Sequence, residues 1–154
     1  MMLDKHFLKG IEFGLVGGIL GTILMDIVMV ATFLMVGEPW DTFFTMVGER
    51  LGGGAVIGIA LHNVVGLTGG FVFALSVLSI PGLRIESRRR GLTLGIAAGA
   101  ITIPAGCIPL AIWLGEPILI VIAFSALPHM VWGTVLGLTV GYGLVSHKIR
   151  PSPA

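Results

Sequence analysis

The sequence predicts an all-α membrane protein: a four-transmembrane-helix bundle from two tandem parallel helical hairpins, plus a short outer interfacial helix. Three observations carry this. The chain of 154 residues is 55% hydrophobic and only 11% charged, with a mean hydropathy of +1.03, outside the range of soluble domains. It contains apolar runs long enough to cross a bilayer. A Gly-Glu-Pro turn and a His-x-x-x-Gly-x-x-x-Gly motif occur twice, in the same order.

A hydrocarbon core about 30 Å thick needs about 20 apolar residues at 1.5 Å rise each. Four stretches satisfy this, near Ile11 to Val36, Ala55 to Leu78, Gly91 to Leu114 and Ile118 to Val145. They lack the period-two alternation of barrel strands, and in lipid every backbone polar group must be bonded internally, so they are read as helices. The whole chain, 1–154, is one transmembrane domain, with repeat one over about 10–80 and repeat two over about 91–146.

Charge is segregated. Lys5 and Lys9 precede the first span, Arg84, Arg88, Arg89 and Arg90 fill the middle loop, and Lys148 and Arg150 close the chain. The opposite connectors carry Glu38, Asp41, Glu49 and Glu116, with Arg50 the one basic residue there. The positive-inside rule then places the N- and C-termini and the arginine loop in the cytoplasm of a multi-pass protein of the cell (inner or cytoplasmic) membrane. Nothing in the charge pattern suggests nucleic acid. Glu12 and Asp26 interrupt the first apolar run, which is too long for a signal-peptide core and is read as a retained helix. The single Cys107 excludes an intrachain disulfide and is read as packing.

The repeat is defined by aligning Gly37-Glu38-Pro39 with Gly115-Glu116-Pro117, which places Gly17 on Gly95 and Gly21 on Gly99. After an insertion in the first copy, His62, Gly66 and Gly70 align with His129, Gly133 and Gly137. Two helices per copy make the copies parallel, about an axis along the membrane normal. Within the insertion Trp40, Phe43, Phe44, Val47 and Leu51 share one helical face. That pattern predicts a short interfacial helix with its aromatic side in lipid or against a partner protein.

Glycines at four-residue steps form grooves where a second backbone can approach, which in lipid is a main source of helix association. Those assigned to packing are Gly14, Gly17 and Gly21 in the first span, Gly58, Gly66 and Gly70 in the second, Gly95 and Gly99 in the third, and Gly133 and Gly137 in the fourth. Pro104, Pro109 and Pro128 each remove a helical hydrogen bond and predict kinks.

Three ionisable side chains fall inside the bilayer. Counted at 1.5 Å per residue, Asp26 lies about 15 Å, His62 about 10 Å and His129 about 16 Å from the outer side. A carboxylate at that depth costs at least about 2.5 to 3.5 kcal/mol and needs a partner, of which a histidine is the nearest candidate. One reading makes Asp26, His62 and His129 an interhelical hydrogen-bond network with no turnover. A second makes His62 and His129 axial ligands of a b-type haem. A third makes the three a proton or ion relay. The first is preferred, with no cofactor and no metal site. Phosphate-binding loops, Cys-x-x-Cys, nucleophile elbows and His-Glu-x-x-His are absent from the sequence, which argues against catalysis by this chain alone.

Gly21-Thr22-Ile23-Leu24-Met25, Leu61-His62-Asn63-Val64-Val65-Gly66 and His129-Met130-Val131-Trp132-Gly133 carry a resemblance: the chain is similar to a family of small, functionally uncharacterised four-helix prokaryotic membrane proteins. The resemblance implies the hairpin duplication and the paired helix histidines, and no chemistry; the outer amphipathic segment stands apart from it. The function expected from the sequence is a non-catalytic accessory subunit of a larger integral membrane complex, respiratory or metabolic. Its partners would be lipids and other membrane subunits or further copies of itself. The alternatives are a haem-binding electron carrier or a small proton-coupled carrier or channel.

Overall fold

The computed structural model describes residues 5–148, and every regular element among them is helical. The elements are α1 (Lys5–Met35), α2 (Thr42–Glu49), α3 (Ala55–Ser79), a short 3₁₀ turn (Pro81–Leu83), α4 (Arg88–Thr102), a π-helical turn (Ile103–Cys107), α5 (Ile108–Leu114) and α6 (Ile118–Lys148). Four helical runs are long and apolar enough to cross a membrane: Lys5–Met35, Ala55–Ser79, Arg88–Leu114 and Ile118–Ser146. This is a multi-pass membrane protein. Arg150 lies outside the described residues.

The spans end where their sequences require. Gly37 and Gly115 adopt left-handed backbone at φ 82° and 77°. Glu38 N–H then donates to Phe33 O at 3.0 Å and Gly37 N–H to Leu34 O at 3.2 Å, while Glu116 donates to Ala111 O at 2.9 Å and Gly115 to Ile112 O at 3.3 Å. Both Gly-Glu-Pro turns thus stop their helices with the same pair of bonds. At the opposite side Ser87 Oγ accepts from Arg90 N–H at 3.2 Å and starts α4. The Arg90 guanidinium donates to Arg84 O (2.7 Å) and Gly82 O (2.6 Å), folding the arginine loop onto itself.

Helix α3 packs on α1, α1 on α6, and α6 on α4, while α2 lies on α3. The core between them holds Met25, Phe73, Val77, Trp132, Leu136, Val140 and Leu144. All ten glycines assigned to packing sit where a side chain would crowd a neighbouring element. The two hairpin contacts are alike. A Cβ on Gly18 would lie 2.9 Å from Gly66 O and 3.1 Å from Gly70 Cα; one on Gly95 would collide with Gly133 O and lie 2.5 Å from Gly137 Cα. Likewise Gly14 abuts Gly70 and Ala74 as Gly91 abuts Gly137 and Gly141.

These contacts shift the alignment of the first and third spans by one residue. Gly18, not Gly17, occupies the place of Gly95; Gly17 and Gly21 turn instead to α6, against Leu136 and Trp132. The two turns nevertheless match residue for residue, so the third span holds one more residue between its glycines and its turn. The π-helical turn over Ile103–Cys107 lies in that interval, and such turns absorb a single extra residue within a helix. Pro104, which has no N–H to give the helical ladder, lies inside it.

Helix α2 differs from the expectation of an aromatic face in lipid. Phe44 and Val47 are 2% and 4% exposed, turned inward, while Trp40 and Leu51 remain more than half exposed. Gly58 accounts for this: with no side chain there, the Phe44 backbone comes into direct contact with α3. Arg50 closes the other end, its guanidinium donating to Leu114 O, at the C-terminus of α5, at 2.5 Å.

Candidate functional site

The inward side of α2, the four spans and the π-helical turn line a partly open cavity of about 450 Å³, within the size range of small-molecule sites. Its wall is largely apolar, with Met25 and Met29 from α1, Phe43 from α2, Leu110 from α5 and Trp132 from α6. Polar groups are few: Thr22, His62, Thr102, Cys107, Ser125, His129 and the indole of Trp132.

Asp26 reaches His62 from the neighbouring helix. Asp26 Oδ1 and His62 Nδ1 are 2.6 Å apart, and the two side chains are 19% and 13% exposed respectively. The glycine contact between α1 and α3 makes this possible, because Gly18 and Gly66 bring the backbones together two turns and one turn away. Thr22, between Gly18 and Asp26, is buried and returns its hydroxyl to Gly18 O at 2.7 Å, so it does not compete for the carboxylate. The His62 ring is held edge-on by Phe43 and Phe44, at centroid distances of 5.4 and 5.9 Å.

His129 is positioned within its own helix. Its Nδ1 lies 2.8 Å from Ser125 O. A carbonyl only accepts, so Nδ1 carries the proton, and in the neutral ring Nε2 carries the lone pair. The three residues expected to form one network therefore divide: Asp26 and His62 form a dyad, and His129 stands separately on the same cavity wall. Both histidines have Nδ1 occupied, leaving Nε2 without a hydrogen-bond partner among the described residues.

Comparison with protein-family models, with curated proteins and with solved structures gives no match. The site is read from its own geometry.

The chemistry available is proton exchange and hydrogen bonding. With Asp26 ionised and His62 neutral, Nδ1–H donates to the carboxylate and Nε2 accepts. One further proton makes Nε2–H a donor, whichever partner holds the proton between them. The dyad can thus change its face toward the cavity by a single proton, while His129 in its neutral form offers an acceptor at Nε2. Among the described residues no three His, Cys, Asp or Glu side chains converge as a metal site. As candidate haem ligands, His62 and His129 share one cavity and have the second-shell bonds usual for ligating imidazoles.

Three cavity residues were missed from sequence. Cys107 is 2% exposed and lines the cavity beside Ser125, which also supplies the His129 acceptor. Trp132 is 5% exposed, and its buried indole N–H has no acceptor among the described residues. A donor left in that state costs about 1 to 3 kcal/mol. The one sequence signal was the spacing of Pro104, Pro109 and Pro128, all near this level of the bundle.

Proposed function

We propose that the protein is a membrane-embedded binding protein for a small lipid-soluble molecule, held in the central cavity and exchanging a proton with the Asp26–His62 dyad. The observation that carries this reading is the 2.6 Å bond from Asp26 to His62, the member of the pair that lines an apolar cavity of about 450 Å³. A polar pair serving only to join helices has no need of an adjacent space, whereas a ligand site in lipid needs an apolar chamber with a few placed polar groups. Among the readings drawn from the sequence it lies closest to the proton-coupled carrier.

Native mass spectrometry of the protein from its own membranes tests it, beside a Gly106→Leu variant. Gly106 lines the cavity, and a Cβ there would meet nothing within 4 Å, so a larger side chain has room at its root and is expected to narrow the cavity. A small adduct on the wild type that is lost in Gly106→Leu supports the proposal. Bound haem would favour the electron-carrier reading. Partner subunits with no small molecule would favour the accessory subunit.

The two hairpins are best understood as tandem copies, supported by their matching glycine contacts and Gly-Glu-Pro turns. In the contact register the place of Asp26 falls to Ile103, where the π-helical turn begins, so the second copy has no equivalent of the dyad. The charge distribution supports cytoplasmic termini in the cell membrane. Arg50, the basic residue on the opposite side, is used by the Leu114 carbonyl. Helix α2 lies at that outer side as a cover for His62.

A further inference from the structure

Resting on that reading of the cavity, we infer that its ligand is a hydroxyl-bearing aromatic of the hydroquinone class, recognised in its reduced form through an O–H donated to His129. The Ser125 carbonyl holds the His129 proton on Nδ1, so Nε2 of the neutral ring presents a lone pair and nothing else. A partner for that atom must be a hydrogen-bond donor. Ketones, ethers and hydrocarbons have none.

The dyad supplies the second contact. In its singly protonated form, with Asp26 ionised, His62 Nε2 is also an acceptor, and a molecule with two hydroxyls carries a donor for each ring. Each hydroxyl oxygen can in turn accept a bond. The Trp132 indole N–H, which has no acceptor among the described residues, is fully buried and stands outside these contacts; the cavity meets other parts of that residue. The rest of the wall suits an aromatic ring: the Phe43 and Trp132 rings offer edges and faces, and the thioethers of Met25 and Met29 make favourable sulfur–aromatic contacts. The oxidised quinone carries only acceptors. It meets the fixed His129 lone pair unfavourably and gains a contact only from the protonated dyad.

Three probes decide the point: decyl-hydroquinone, its quinone and its dimethyl ether, titrated anaerobically into the full-length protein in lipid nanodiscs. The hydroquinone should bind about 10-fold or more tightly than the ether, the ratio expected when one well-placed hydrogen bond is present in one ligand and lost in the other. In His129→Leu that ratio should fall to about one with ether binding retained, which also shows that the variant is folded. His129→Gln, which restores an acceptor, should recover part of the ratio. Equal wild-type affinities for hydroquinone and ether, or a ratio unchanged in His129→Leu, would overturn the donor rule while leaving the cavity reading intact. Failure of all three probes to bind would overturn the hydroquinone assignment, and binding unaffected by Gly106→Leu would overturn the cavity reading itself.

Discussion

The Asp26 carboxylate and the His62 imidazole meet across α1 and α3 at 2.6 Å, inside the membrane-spanning part of the bundle. Each partner is the other's reason for being tolerated there, since an isolated charge or unpaired donor in lipid is costly. Asp26→Leu should therefore destabilise the bundle by about 1 to 3 kcal/mol, the cost of leaving the His62 donor unsatisfied. Asp26→Leu combined with His62→Leu should recover a good part of that loss. Unfolding in mixed micelles, run as a double-mutant cycle, measures this coupling; strict additivity would show that the pair does not interact.

The glycine contacts give a second prediction, because crowding differs sharply between positions. At Gly133 a Cβ would collide with Gly95 O and lie 2.9 Å from Gly99 N, both backbone atoms that cannot swing aside. Gly133→Ala should cost about 1 to 3 kcal/mol through overpacking. Gly82, where a Cβ would meet nothing within 4 Å, should accept alanine with little change. Thermal unfolding of the two variants in one detergent compares them.

Arg50 is the tether between α2 and the end of α5, through Leu114 O at 2.5 Å. Arg50→Met removes the donor while keeping most of the apolar stem. Hydrogen exchange over residues 42–51 should accelerate by about 10-fold or more, the scale of a lost charge-assisted hydrogen bond of about 1.5 to 3 kcal/mol. Exchange over the body of α3 should hardly change. Uniform acceleration across both helices would instead mark a global loss of stability.

The proposed orientation can be read by labelling. In a Cys107→Ser background, single cysteines at Glu38 and Glu116 should react with a membrane-impermeant maleimide on intact cells, and one at Glu86 only after permeabilisation. The reverse pattern would place the arginine loop outside.

The four spans and their ends were legible in the sequence because length, hydropathy and the left-handed glycines at 37 and 115 leave little choice. The need of Asp26 for a histidine partner was legible from the cost of the carboxylate alone. What escaped were choices that hydropathy does not encode. The π-helical turn over Ile103–Cys107 adds one residue without altering the apolar character of the span, so a gap-free alignment placed Gly17 on Gly95. The aromatic period of α2 shows which residues share a face, not whether that face meets lipid or α3; the flat surface at Gly58 decided it. The bond from His129 to Ser125 is a rotamer choice within one helix, invisible to spacing arguments about the bundle.

On the proposed reading the cavity beside the dyad is an occupied site and not packing slack. Photolabelling with a small apolar diazirine in native membranes, followed by peptide mapping, addresses it most directly. Labelling concentrated at Met25, Cys107 and Trp132 of the wild type, suppressed by Gly106→Leu, is the predicted result. Labelling confined to outward residues such as Ile27 and Leu119, unchanged by Gly106→Leu, would contradict it.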